Sequence, residues 1–301
     1  MLQPGPTIMM MFGYLFTTGI TTGALYALVA LGITIVYKAT RTVNFAHGDL
    51  FMIGGFIAYT FHVMWGIPYV VALLLAVAAG FVIGAVAERI AFRPLLDQPV
   101  VSMLLATIGL SFVLKGVARA IWGGKGDFIP FPPLVGGPPL SLAGLIIVPQ
   151  QLVVLGGALV VMLAFAVFFK FTRLGRMMQA TSDNAKAAKL VGIRIGRVYM
   201  VTFATGAAVA GAAAVLMAPI TLLYPDIGFV LFIKSFAAAV LGGLTSIPGA
   251  VLGGFLIGLI EALCGGYIST SLQDVSSYIV IMIVLVFLPN GLLGGPNLRR
   301  V

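Results

Sequence analysis

Residues 170–197 read KFTRLGRMMQATSDNAKAAKLVGIRIGR, and no other stretch of the chain stays polar for so long. Seven of the 17 Lys and Arg residues fall here, with Asp183 the one acid. Basic loops of this kind are retained on the cytoplasmic side of membrane proteins. On either side the sequence returns to apolar runs. A helix needs about 20 mainly apolar residues to cross roughly 30 Å of hydrocarbon, and such runs fill the chain at about 8–37, 50–65, 68–87, 99–122, 148–169, 198–220, 228–244, 249–265 and 275–293. The expected fold is all-α: a polytopic membrane bundle of about eight to ten spanning elements. Residues 1–301 form one transmembrane domain, and a short helix lies in the cytoplasmic loop. Segment 8–37 is long for one helix and short for two.

Composition agrees. Hydrophobic residues make up 61 % of the 301 and charged residues 8 %, against about a quarter charged in soluble proteins. The runs do not alternate, as the strands of a transmembrane barrel would. The formal charge of +9 sits at the ends of apolar runs, where it reads as topology signals and attraction to anionic lipid headgroups, not nucleic-acid binding. Placing 170–197 in the cytosol puts Lys38 and Arg41, Arg89 and Arg93, and the tail with Arg299 and Arg300 inside as well. The Pro/Gly-rich connection 123–149 then lies outside. The N-terminus lacks a basic signal region, so its first apolar run is expected to stay as a membrane helix. Cys264 stands alone, and His47 and His62 have no cysteine near them, so neither a disulfide framework nor a metal site is expected.

Glycines recur four apart at Gly19/Gly23, Gly80/Gly84, Gly249/Gly253 and Gly254/Gly258. Small residues let helix backbones approach in lipid, within this chain or across a dimer. HGDLFMIGGFIAY at 47–59 and PGAVLGGFLIGL at 248–259 share Gly-Gly-Phe and suggest an internal repeat.

Ionisable groups inside a bilayer are expensive and mark sites. Lys234 and Glu261 sit in consecutive apolar runs, both some 6–10 Å below the outer boundary at 1.5 Å per residue. They are expected to form a structural ion pair and not to bind substrate. Interfacial snorkelling of Lys234 is the other reading. Asn44, His47 and Asp49 form the densest polar cluster outside the long loop. Asp49 either caps the next helix, or the three line the permeation path on a broken helix at membrane depth. Lys115 and Arg119, at i and i+4, read as approaching the outer headgroups. No G-x-x-x-x-G-K-[ST] loop is present, so any ATP that drives the protein binds another chain. Within the long loop, Asp183–Val191 reads as a capped helix of about two turns, with Asp183 or Asn184 as N-cap and Gly192 as stop. Its small face at Ala187 and Ala188 suits a docking protein better than a membrane surface.

Five stretches carry a resemblance: GALYALVALGITIVYKATRTVNFAHGDLFMIGGF from residue 23, ERIAFRPL, the loop from RLGRMMQA through KLVGIRIGRV, IGFVLFIKSFAAAVLGGLTSIPGAVLGGFLIGLIEAL, and FLPNGLLGG ending at 295. With NFAHGD and AAAVLGG-x-x-SIPGA its specific parts, the chain resembles the permease subunits of bacterial branched-chain amino-acid ABC importers, the first of the two usually paired. The resemblance implies a multi-pass inner-membrane protein, not an enzyme. It also implies a second permease, two ATPase subunits holding ATP and Mg, and an extracytoplasmic binding protein. In such permeases a cytoplasmic coupling helix often carries Glu-Ala-Ala-x-x-x-Gly. The matching positions are Lys186, Ala187, Ala188 and Gly192, and since Lys186 is not Glu, a contact made by that Glu does not carry over. The competing reading is a self-contained secondary transporter or channel for a small polar solute. It would call for several buried carboxylates, and the sequence offers Glu261 with Asp49 at a boundary.

Overall fold

The computed structural model describes residues 4–96, 98–123, 128–142 and 145–294. The tail with Arg299 and Arg300 lies outside them. Eleven α-helices are found there: α1 Pro4–Thr40, α2 His47–Tyr59, α3 Tyr69–Ala87, α4 Val100–Trp122, α5 Pro149–Phe171, α6 Arg173–Asp183, α7 Ala185–Leu190, α8 Ile195–Met217, α9 Ile227–Gly242, α10 Ile247–Tyr267 and α11 Thr270–Phe287. A small hairpin, β1 Leu140–Leu142 with β2 Leu145–Ile147, precedes α5.

Seven helices among the described residues are long and apolar enough to cross a membrane, and α9 is a shorter apolar helix. With α2, which continues into one π-turn at Thr60–Met64, nine apolar helices build the bundle. The 8–37 run is one helix, α1, of 37 residues.

The α1 and α8 helices are the most enclosed. α1 lies against α10, and α3 lies against α8 in the same way. In the first pair a Cβ on Gly23 would strike Phe255 and Gly254, and one on Gly258 would strike Gly23. In the second, Gly80 abuts Ala207 and Gly84 abuts Phe203 and Ala204. Both pairs run antiparallel, and each depends on the four-residue glycine spacing to bring backbones together. Gly19/Gly23 and Gly254/Gly258 therefore face one another inside this chain. The contacts of α1 with α9 and α10 parallel those of α8 with α2 and α3. The two similar stretches fall on different elements: residues 47–59 form the short α2, whereas 248–259 belong to the longer α10.

The connection between α4 and α5 lies at one end of the bundle. Ile129 pairs with Leu223, and Thr17 near the start of α1 donates to the Ile146 carbonyl. The basic segment lies at the other end, beyond α5 and before α8.

Candidate functional site

Two short helices, not one, occupy the basic segment. The Thr172 hydroxyl accepts from Gly175 N at 3.0 Å and starts α6, whose Gly175, Met178 and Thr181 face inward. Asn184 is extended (φ −155°, ψ 97°) and breaks the run. Its Oδ1 accepts from Ala187 N at 3.0 Å, so Asn184 is the cap of α7 and Asp183 is the last residue of α6. Gly192 has φ 87°, a left-handed conformation that favours glycine. The turn it makes is closed by Gly192 N to Lys189 O at 3.1 Å and Ile193 N to Ala188 O at 3.0 Å. The small face expected at Ala187 and Ala188 is not presented as a unit: Ala187 is exposed and Ala188 is packed inward. What projects is Leu190, 88 % exposed, with Val191, 78 % exposed, flanked by exposed Lys186, Lys189 and Arg194. A groove of about 490 Å³ beside this tip is lined by Leu174, Met177, Ile193, Arg197 and Val198. The α6 helix escapes a sequence reading because its glycine and two arginines resemble loop; the Thr172 cap was the available signal.

The cluster at 44–49 lies deep in the bundle. After α1 ends, Arg41 turns left-handed (φ 58°), and residues 42–46 run without helix back into the protein. Here a Cβ on Gly32 would strike His47, and Gly206 also borders the ring. Gly32 is eight residues before the end of α1, so α2 begins about 12 Å inside the bundle. Non-helical backbone at such depth survives only when protein covers it, and Thr42, Asn44 and Ala46 are all buried. Asn44 Oδ1 accepts from Ala46 N at 3.0 Å. Ala46 is the N-cap of α2 and no side chain caps it, so Asp49 does not serve as a cap. Its carboxylate faces Ser111 and lies 4.0 Å from Lys115. The His47 ring faces the Val29 backbone, with neither nitrogen in good hydrogen-bonding geometry. The N-termini of α2 and α9 meet back to back, and a Cβ on either Gly48 or Gly228 would strike the other's carbonyl.

Lys115 and Arg119 reach this junction. Arg119 is 2.8 Å and Lys115 3.7 Å from Asp226, which precedes α9, and Lys115 also sits over the Phe229 ring.

Lys234 and Glu261 are brought together. Lys234 Nζ donates to Glu261 Oε1 at 2.5 Å and to Asp274 Oδ1 at 2.8 Å, while the Tyr26 hydroxyl donates to Glu261 Oε2 at 2.7 Å. The side chains of Lys234 and Glu261 are 10 % and 5 % exposed, and Asp274 74 %. Four helices, α1, α9, α10 and α11, meet in this set. Tyr26 and Asp274 were invisible as partners because nothing in their local sequence marks them as facing Glu261.

Another buried carboxylate, Glu88, sits at the end of the bundle opposite Glu261. It lies in the π-turn Glu88–Phe92 that closes α3 and is fully buried. Arg93 grips it with Nε to Oε1 at 3.2 Å and Nη2 to Oε2 at 2.9 Å, and the same Nη2 donates to the Gly196 carbonyl at 2.8 Å.

The family model described as "Branched-chain amino acid transport system / permease component" matches residues 15–288. The chain belongs to that permease family. The high-affinity branched-chain amino acid transport permease LivH of Salmonella typhimurium is 36 % identical over 297 residues, 94 % of this chain and 96 % of the relative. LivH of Escherichia coli matches to the same extent. BraD of Pseudomonas aeruginosa is 36 % identical over 294 residues, again 94 % and 96 %. The chain is thus a multi-pass inner-membrane transport subunit and not an enzyme. Membership implies, in general terms, ATPase and binding-protein partners.

Proposed function

We propose that this permease forms half of the translocation path of an ATP-driven importer for branched-chain or related amino acids, working by alternating access. The family match over residues 15–288 carries the reading, and the substrate class follows the names of the 36 % identical relatives. A homologous or identical permease supplies the other half, two ATPase subunits hold ATP and Mg, and an extracytoplasmic binding protein delivers solute.

The cytoplasmic platform fits the coupling role. Helix α7 is fixed at both ends by Asn184 and Gly192, and its Leu190–Val191 tip is an apolar knob in a basic ring. A knob of this shape suits a groove on an ATPase with acidic edges. Asp183, Lys186, Ala187 and Ala188 set the tip's position, with Ala188 as its inward anchor. Asn44, His47 and Asp49 are placed as gating residues, because α2 and α9 start there and any rocking of the halves must move that junction. Lys234 and Glu261 are assigned a structural role.

The test is co-purification in mild detergent of the ATPase subunits with the unaltered chain and with Leu190→Glu/Val191→Glu. The ATPase is expected with the former and lost with the latter, while leucine, isoleucine and valine uptake falls at least tenfold. An unaltered chain that recruits no ATPase yet transports solute would make it a self-contained transporter.

A further inference from the structure

We propose that Glu88 and Arg93 are positioning residues that pass the movement of α7 into the α3–α8 pair. The inference rests on the coupling role given to α7 above. Three observations lead to it.

The first is the route by which α7 is joined to α8. Four residues, 191–194, separate the two helices. The Ile193 N to Ala188 O bond at 3.0 Å ties that turn back onto α7. Gly196, in the first turn of α8, follows two residues after the turn. A displacement of the Leu190–Val191 tip therefore reaches Gly196 through a short, hydrogen-bonded stretch with little slack.

The second is what grips Gly196. Arg93 uses one Nη2 for both the Glu88 carboxylate and the Gly196 carbonyl. Bidentate guanidinium–carboxylate pairs fix direction as well as distance. Because the carboxylate is fully buried, Arg93 has little freedom to turn away, and leaving Glu88 unpaired is strongly unfavourable. A lysine, as a point charge on a flexible stem, would not hold both acceptors in one fixed geometry.

The third is that the grip continues along the helices. Phe92 is fully buried and stacks on Phe203 of α8 with ring centroids 4.6 Å apart. About two and three turns before Phe92, Gly84 and Gly80 of α3 lie against Phe203, Ala204 and Ala207. The inner end of α3 is thus keyed to α8 at successive levels, with the Arg93 fork nearest the moving part. A π-turn inside or at the end of a helix frequently marks a functional position, and here it is the turn that carries Glu88.

A residue that only stabilises the fold would lower the yield or melting temperature of the importer and leave its stoichiometry alone. A strut alters how much solute moves per ATP. The experiment uses the importer assembled with its ATPase subunits and binding protein in proteoliposomes, and measures ATP hydrolysis and solute uptake in the same vesicles. Wild type is compared with Glu88→Gln, Arg93→Lys and Arg93→Gln. ATP hydrolysis is expected to stay within about twofold of wild type while uptake per ATP falls about fivefold or more for Arg93→Gln. Glu88→Gln and Arg93→Lys, which keep part of the contact, should fall between. Uptake per ATP equal to wild type in all three would overturn the strut, and failure of all three to assemble would assign the trio to folding and overturn it too. A wild-type chain that binds no ATPase would instead overturn the importer reading, and the strut with it.

Discussion

The α1–α10 and α3–α8 pairs have the same seam and opposite locks. Both seams are glycine-spaced and antiparallel. The first pair is locked near the end that holds the α4–α5 connection, where Tyr26, Glu261, Lys234 and Asp274 converge from four helices. The second is locked near the basic segment, by one arginine fork that ends on a backbone carbonyl. A side-chain network of buried charges holds several helices in register, and it fails when any central member is lost. A fork onto a carbonyl ties one helix end to whatever the next segment does. Glycine seams alone would leave the two pairs interchangeable; the placement of two buried carboxylates makes one pair an anchor and gives the other a handle beside α7.

The severest way to break this contrast is to remove one charge from the anchor. Glu261→Ala leaves Lys234, in the bundle interior, with only the exposed Asp274 carboxylate as its ionic partner among the described residues, and is expected to destabilise by about 2–4 kcal/mol, read as loss of monodisperse protein or a lowered thermal midpoint. Replacing both partners by methionine should recover most of that loss. If Glu261→Gln behaves as wild type, charge plays no part in the anchor. The seams come next. Gly258→Val drives a side chain into the Gly23 backbone and Gly84→Val into Phe203 and Ala207, so each should destabilise by about 1–3 kcal/mol or somewhat more. Gly109, which faces open space, is the control and should tolerate valine. Unequal losses at the two seams would show that the pairs are not built alike. Asp274→Asn is the mildest. Its side chain is 74 % exposed, so its pairing with Lys234 is worth about 0–1 kcal/mol after solvent screening, and a larger change would move the weight of the anchor out to α11.

Much of this was legible in the sequence, and the misses have physical causes. Length and apolarity located the nine apolar helices. They could not show that α2 starts deep in the bundle, because a buried half-helix with a non-helical lead-in has the same composition as a full crossing. Lys234 and Glu261 were visible because charge in an apolar run stands out. Glu88 was not, since ERIAFRPL places it beside arginines at a loop edge, where a carboxylate normally stays in water. The partner of Lys115 and Arg119 was not legible, because Asp226 lies 107 residues away from Arg119 in the chain. The helix α7 lies within the expected span 183–191, and of its two candidate caps, Asp183 and Asn184, the extended backbone at Asn184 decides for the second.

The non-helical lead-in to α2 also constrains how the protein is made. Residues 42–46 run without helix through the protein interior, where lipid cannot satisfy a bare backbone; Phe45 packs on Phe232 of α9, and His47 just beyond borders Gly206 of α8, a helix whose first residue, Ile195, is synthesised about 150 residues later. The N-terminal half therefore enters the membrane before it has a complete interior. Until the chain beyond Ile195 arrives, that half is an unfinished client, dependent on the insertion machinery or on water at the bilayer edge to shelter a segment that its own helices cannot.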